Sequence, residues 1–228
     1  MTDADLITAN PCRDIRRAKA KPRDRPLTME EFPLFWERFG DYGVAGVALR
    51  VLALMGQRPG EIAALHREHI DQEWWWHLPG TPCGQWPGTK YERPHIIFVP
   101  EPVRELISGF TKVNPEEGLV FGPDPDKTHR DMQIAMRKIS KQLGVEQARP
   151  HDLRHTHGTT ICRMLGLVGR PAMNRVQNHA EGGISDVYDH WKYRPEIEST
   201  MTRVAAELMR IAERRAADEK VVALVVKP

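Results

Sequence analysis

Pro150-His151-Asp152-Leu153-Arg154-His155-Thr156-His157 is the stretch on which the reading of this chain turns. Proline is favoured at the first position of a helix, where its missing N–H is not needed and its fixed φ suits the helix. The stretch therefore predicts a helix whose opening turn carries His151 and Arg154, three residues apart and on one face. A helix N-terminus attracts anions through its free N–H groups and its dipole, so an imidazole and a guanidinium beside it make phosphate the natural ligand. Upstream, Gly56-Gln57-Arg58-Pro59-Gly60-Glu61 repeats the device. The apolar run from about Tyr42 to Met55 predicts a largely buried helix that stops at Gly56, and Pro59 opens the next. Arg58 then occupies a tight corner between helices, with Glu61 in the first turn beyond it.

Outward from these two starts, Thr28-Met29-Glu30-Glu31 has the form of a capping box and predicts a helix beginning there. Trp74-Trp75-Trp76 and His95-Ile96-Ile97-Phe98-Val99 read as short strands, separated by a loop rich in glycine and proline that reaches Lys90 near its far end. The triple tryptophan is read as sheet packing rather than a platform for bases. Periodicity predicts further helices over 101–110, 127–143, 151–166, 170–178 and 184–191, a long charged helix near 195–217, and a strand in the terminal Val221-Val222-Ala223-Leu224-Val225-Val226. The expected fold class is α+β, mainly helical with a small antiparallel sheet. Residues 1–26 read as a basic linker, and 27–228 as one domain with a helix-and-strand tail from about 195.

Composition narrows the function classes. The 228 residues are 40% hydrophobic and 28% charged, an ordinary globular balance with no run long enough for a membrane span and no secretory leader form at Met1-Thr2-Asp3-Ala4-Asp5. Cys12, Cys83 and Cys162 lie far apart, which points to neither a disulfide framework nor a zinc knuckle. A net charge of +2 is too balanced to identify a nucleic-acid protein on its own. Its distribution is more telling: Pro11 to Arg25 holds seven Lys or Arg against two Asp, an excess suited either to a phosphate backbone or to a solvated linker.

Gly56-Gln57-Arg58-Pro59-Gly60-Glu61-Ile62-Ala63-Ala64-Leu65, then His151-Asp152-Leu153-Arg154-His155-Thr156, then His179-Ala180-Glu181-Gly182-Gly183-Ile184-Ser185-Asp186-Val187-Tyr188 together resemble the tyrosine recombinase, or phage integrase, family. That family's order of arginine, lysine, histidine-x-x-arginine, histidine or tryptophan, and tyrosine is matched by Arg58, Lys90, His151, Arg154, His179 and Tyr188, the last interval being nine residues. The likeness runs from about Pro26 to Tyr193. It departs at Asn178, where the family often has glycine, and in the Arg170–Gln177 approach. Asn10-Pro11-Cys12-Arg13-Asp14-Ile15 resembles the linker from a core-binding domain, so the expectation is a catalytic fragment. The resemblance implies the catalytic-domain fold of these enzymes, double-stranded DNA sites as substrate, and action as a tetramer, with accessory DNA-bending proteins as further partners. It also implies a prokaryotic cytoplasmic setting at the nucleoid, and a role in integrating prophages or other mobile elements.

The chemistry suits the residue types. Fixed cations stabilise the crowded phosphorus centre of a phosphoryl transfer, and the planar arginine fork fits its oxygens. From the resemblance come the separate roles: Tyr188 as nucleophile forming a 3′-phosphotyrosyl link, His151 as proton acceptor or positioning group, His179 as donor to the phosphate, and Lys90 as acid to the departing 5′ oxygen. No cofactor, metal or ATP is implied. Glu61 is expected to hold a neighbouring arginine, Asp152 to favour the helix start, and His155 to pack behind the site. Alternatives remain. Tyr193 is a second tyrosine, Lys112 and Lys127 are other lysines of the region, and His151, His155 and His157 have a spacing that allows a metal-dependent nuclease. A catalytically silent DNA-binding fragment and a relaxing enzyme of the type IB topoisomerase kind complete the set.

Overall fold

Thr28 and Glu31 exchange the bonds that their spacing predicts. The Glu31 N–H donates to Thr28 Oγ1 at 3.1 Å and the Thr28 N–H to Glu31 Oε2 at 3.0 Å, which starts the first helix, α1 (Glu31–Phe39). The computed structural model to which these atoms belong describes residues 25–90, 92–109, 118–179 and 193–225, with side chains as far as Arg214. The basic stretch before Arg25, Lys112, the expected helix over 184–191 and Tyr188 lie outside the described residues.

One face of α1 buries Phe32, Phe35 and Phe39 against α2 (Gly43–Met55). From Ala48 to Met55 almost all of α2 is buried, as its apolar sequence demands. It is the central post of the fold, touching α1, α4 (Glu101–Ser108), α5 (Pro125–Leu143), α6 (Pro150–Leu165) and α8 (Arg194–Val225). A five-residue helix, α3 (Pro59–Ala63), follows α2 directly, and α7 (Gly169–Val176) packs on α6.

The sheet has two antiparallel strands, β1 (Trp75–Leu78) and β2 (His95–Phe98), with Trp75 opposite Phe98 and Leu78 opposite His95. Trp74 stands outside the strand that its neighbours suggested, because its φ of 66° turns the chain into β1 instead of extending it. The guanidinium groups of Arg67 and Arg104 lie over its ring, 5.4 and 5.0 Å from the centroid. Trp75 and Trp76 are buried, at 4% and 0% exposure, so these two rings pack the sheet as expected.

At its C-terminal end the chain departs from expectation. Val221–Val225 continues α8 and is not a strand. A lone terminal strand has no pairing partner for its backbone groups, whereas a helix satisfies them within the segment. Ile197, Met201, Val204, Ala205, Leu208, Ile211 and Ala212 of α8 are buried at helical spacing in the chain's own core. Each large apolar side chain so buried contributes about 1.5–3 kcal/mol. No described helix is long and apolar enough to cross a membrane.

Candidate active site

Gly56 closes α2 in the left-handed region, with φ 65°, and its N–H bonds back to Leu52 O at 2.9 Å. The chain then enters α3 through Arg58 in extended conformation. Glu61, 3% exposed, folds back on it: Oε2 accepts the Arg58 N–H at 2.8 Å and Oε1 accepts Arg58 Nη1 at 2.9 Å. One carboxylate therefore caps the helix and aims the guanidinium, and a hydrogen bond between charged groups of this kind contributes about 1.5–3 kcal/mol.

The start of α6 is built alike. The Arg149 N–H donates to Asp152 Oδ2 at 2.8 Å, so the buried Asp152 is a cap and faces no site chemistry. His151 is exposed at the opening, its ring edge-on to His155 with centroids 4.8 Å apart. Arg154, 3% exposed, is held by two backbone carbonyls, Nη1 donating to Gly56 O at 2.8 Å and Nη2 to Gln177 O at 2.5 Å.

The end of α7 gathers both arginines. Arg58 Nη2 donates to Asn178 O at 3.4 Å, so consecutive carbonyls, those of Gln177 and Asn178, receive Arg154 and Arg58. Asn178 has φ 50°, in the left-handed region that glycine adopts freely and asparagine tolerates, which accounts for asparagine here where the family often has glycine. The turn delivers His179, whose N–H bonds to Asn174 O at 2.8 Å.

These side chains sense one another electrostatically. Partial burial, then His155, Arg154, Arg58 and His179, lower the pKa of His151 to about 4. Burial, then Arg154, Arg58, His155 and Lys90, lower that of His179 to about 4. Burial and Arg58 bring Arg154 down to about 10, against an upward pull from Glu61, and it stays charged at neutral pH. Lys90, exposed on the hairpin loop, thus adds its charge on the His179 side. The residue before it is anchored, the Thr89 N–H donating to Gly80 O at 2.9 Å and Thr89 Oγ1 to Arg93 O at 2.6 Å.

Arg58, Lys90, His151, Arg154 and His179 thus come together with Glu61 and His155, while Asp152 serves the helix end. Tyr188 lies outside the described residues. His157 points away from His151 and His155 into the interior, fully buried. Among the described residues no three His, Cys, Asp or Glu side chains gather as ion ligands, so the histidine trio does not form the metal cluster that its spacing allows. A neutral imidazole is a proton acceptor, and the surrounding cations suit an oxyanion.

Three supports were not evident from the sequence. Gln57 Nε2 donates to Val176 O at 2.9 Å, His95 Nε2 donates to the same carbonyl at 3.0 Å, and Gln177 Nε2 donates to Arg154 O at 2.9 Å. All three side chains are buried, and together they pin the turn that carries His179 to the corner between α2 and α3, to β2 and to α6. Nothing in the adjoining sequence singles them out: Gln57 stands between Gly56 and Arg58, and Gln177 between Val176 and Asn178.

The sequence matches the Phage integrase family over residues 42–194, more than half of the chain and a span that includes every matched position from Arg58 to Tyr188. No curated protein matches it. Among solved structures, the fold is similar to that of XerA recombinase, with TM-score 0.54, 17% identity, and coverage of 88% of this chain and 66% of that one. It is also similar to XerH site-specific recombinase bound to difH substrate in a pre-cleavage complex, with TM-score 0.52, 13% identity, and coverage of 85% and 53%. The chain spans less than two thirds of either solved chain, and at these identities the likeness is one of fold.

Proposed function

This chain belongs to the phage integrase family, and from that premise we propose that it acts as a site-specific tyrosine recombinase, cutting and rejoining DNA through a 3′-phosphotyrosyl link to Tyr188. The observation that carries the reading is the joint capture of Arg58 and Arg154 by the carbonyls of one turn, beside His151 and His179. Two guanidinium groups fixed before substrate arrives stabilise the phosphoryl transition state without reorganising, and losing one such donor typically costs ~10²–10³ in rate.

In this mechanism the scissile phosphate settles between Arg58 and Arg154. Burial first and the cations second keep His151 and His179 unprotonated, and the phosphate's negative charge opposes the second of these, which favours their protons. His151 takes the proton of Tyr188 as its oxygen attacks phosphorus, and His179 donates to a non-bridging oxygen. The bond to the 5′ oxygen breaks and Lys90 supplies that oxygen's proton. The new ester retains the phosphodiester's energy, so rejoining to a 5′ hydroxyl reverses the step without ATP or metal. Strand exchange on paired sites calls for a tetramer. One face of α8 is buried in its own chain as far as Ala212, so docking on a neighbour would use its outer face or the residues after it.

The test is a DNA duplex nicked beside the cleavage point, which traps the covalent adduct. An adduct mapped by mass spectrometry to Tyr188, formed in EDTA and lost in Tyr188→Phe, is the expected result. An adduct on Tyr193 reassigns the nucleophile, loss of cleavage in chelator indicates the metal-dependent nuclease, and DNA binding with no adduct indicates the silent fragment.

A further inference from the structure

His157 lies three residues after Arg154 on α6 and is 0% exposed. Its ring fills the space where any other residue at position 56 would carry its side chain: a Cβ on Gly56 would lie 2.3 Å from His157 Nδ1 and 2.6 Å from Cγ. Gly56 is also the residue that turns the chain from α2 towards Arg58, with φ 65°, and whose carbonyl accepts Arg154 Nη1 at 2.8 Å. The imidazole therefore abuts the backbone on which one guanidinium is hung and from which the other departs two residues later.

The ring's polarity is otherwise unexplained. Neither of its nitrogens forms a hydrogen bond of ordinary geometry. The backbone of Leu54, in the last turn of α2, is the polar group that favours its protonation, in an arrangement short of a formed bond. Burial, then Arg154, oppose that proton and lower the pKa to about 3, so the group beside the buried guanidinium is neutral.

We propose that His157 is a positioning residue, a neutral wedge that holds the Gly56 carbonyl in place and through it sets the Arg154 guanidinium at the phosphate site. The proposal rests on the reading of Arg154 as a phosphate clamp. With the wedge removed, the Gly56 corner is free to relax into the vacated space. A displacement of a fraction of an ångström moves both the acceptor of Arg154 and the start of the Arg58 turn.

His157→Ala tests this in single-turnover cleavage of a nicked duplex at saturating DNA, with DNA affinity and thermal unfolding measured alongside. The cleavage rate of the bound, folded protein falls about 10–100-fold, the scale on which small misplacements act, while DNA affinity falls much less, since the buried His157 itself contacts no DNA and the shift touches one phosphate contact among those that hold the duplex. Side-chain NMR of Arg154 supplies a readout independent of activity. Its Nη protons exchange slowly in the wild type, where two carbonyls hold them, and rapidly in the variant. His157→Gln serves if the alanine variant does not fold.

Wild-type cleavage and unchanged Arg154 exchange in folded His157→Ala overturn the proposal. If the wild-type protein forms no adduct, the recombinase reading fails by itself, and the Arg154 exchange still decides whether His157 positions that side chain.

Discussion

Replacing His157 with phenylalanine removes a group whose proton binding differs sharply between the folded and unfolded chain. In the folded protein its pKa lies at about 3, against the usual 6.5 once unfolded. Between these values the unfolded chain binds a proton that the folded chain refuses, so stability falls as pH is lowered and is fully present only above the unfolded pKa. From pH 7 to pH 5 the linkage relation gives a loss of about 2 kcal/mol from this one residue, at about 1.4 kcal/mol per pH unit over the steep part. For a chain of this size each kcal/mol moves Tm by about 2–4 °C, so the wild type loses about 4–8 °C from this source. His157→Phe carries an overpacking cost of about 1–3 kcal/mol that is the same at every pH, so the comparison rests on slopes and not on absolute stability. Thermal unfolding of both proteins from pH 7 to pH 5 should show a shallower fall in the variant. Equal slopes would refute the reasoning, because they would mean that His157 takes its proton in the fold as readily as outside it.

Glu61→Gln keeps the cap on the Arg58 N–H but loses the charge that aims the guanidinium. DNA cleavage should fall by about 10²–10³, with a melting-temperature loss consistent with about 1.5–3 kcal/mol for a weakened bond between charged groups. Asn178→Gly should leave both stability and cleavage close to wild type, whereas Asn178→Val should cost about 1–3 kcal/mol in chemical denaturation, because a β-branched residue resists the φ of 50° at that turn. Gln177→Leu retains the carbonyl that receives Arg154 but removes the amide that returns to Arg154 O. A loss of about 0.5–1.5 kcal/mol is expected from the missing bond, and an unchanged denaturation midpoint would show that this return bond contributes nothing.

The helix starts were legible because their signals are local. Thr28 with Glu31, Gly56 before Pro59, and Pro150 before His151 each act within one turn, and the structure uses all of them as read. Trp74 and Val221–Val225 differ from their β-rich composition for separate reasons. At Trp74 a φ of 66° breaks the extended run although its carbonyl still accepts the Val99 N–H at 2.9 Å, and for Val221–Val225 no described strand lies ready to pair. Gln57, His95 and Gln177 escaped notice because nothing near them in the chain gives them a task. His95 reaches a carbonyl 81 positions away and Gln57 one at 119.

What the sequence determined by itself is the kind and order of the elements and the presence of arginine at two helix starts, since capping, proline and apolar periodicity depend on residues within about four positions. Only the tertiary structure decided that these arginines meet. Arg154 bonds to Gly56 across 98 residues and Arg58 to Asn178 across 120. A backbone carbonyl becomes an acceptor for so distant a guanidinium only after α2, α6 and α7 have packed and excluded the water that would otherwise occupy both.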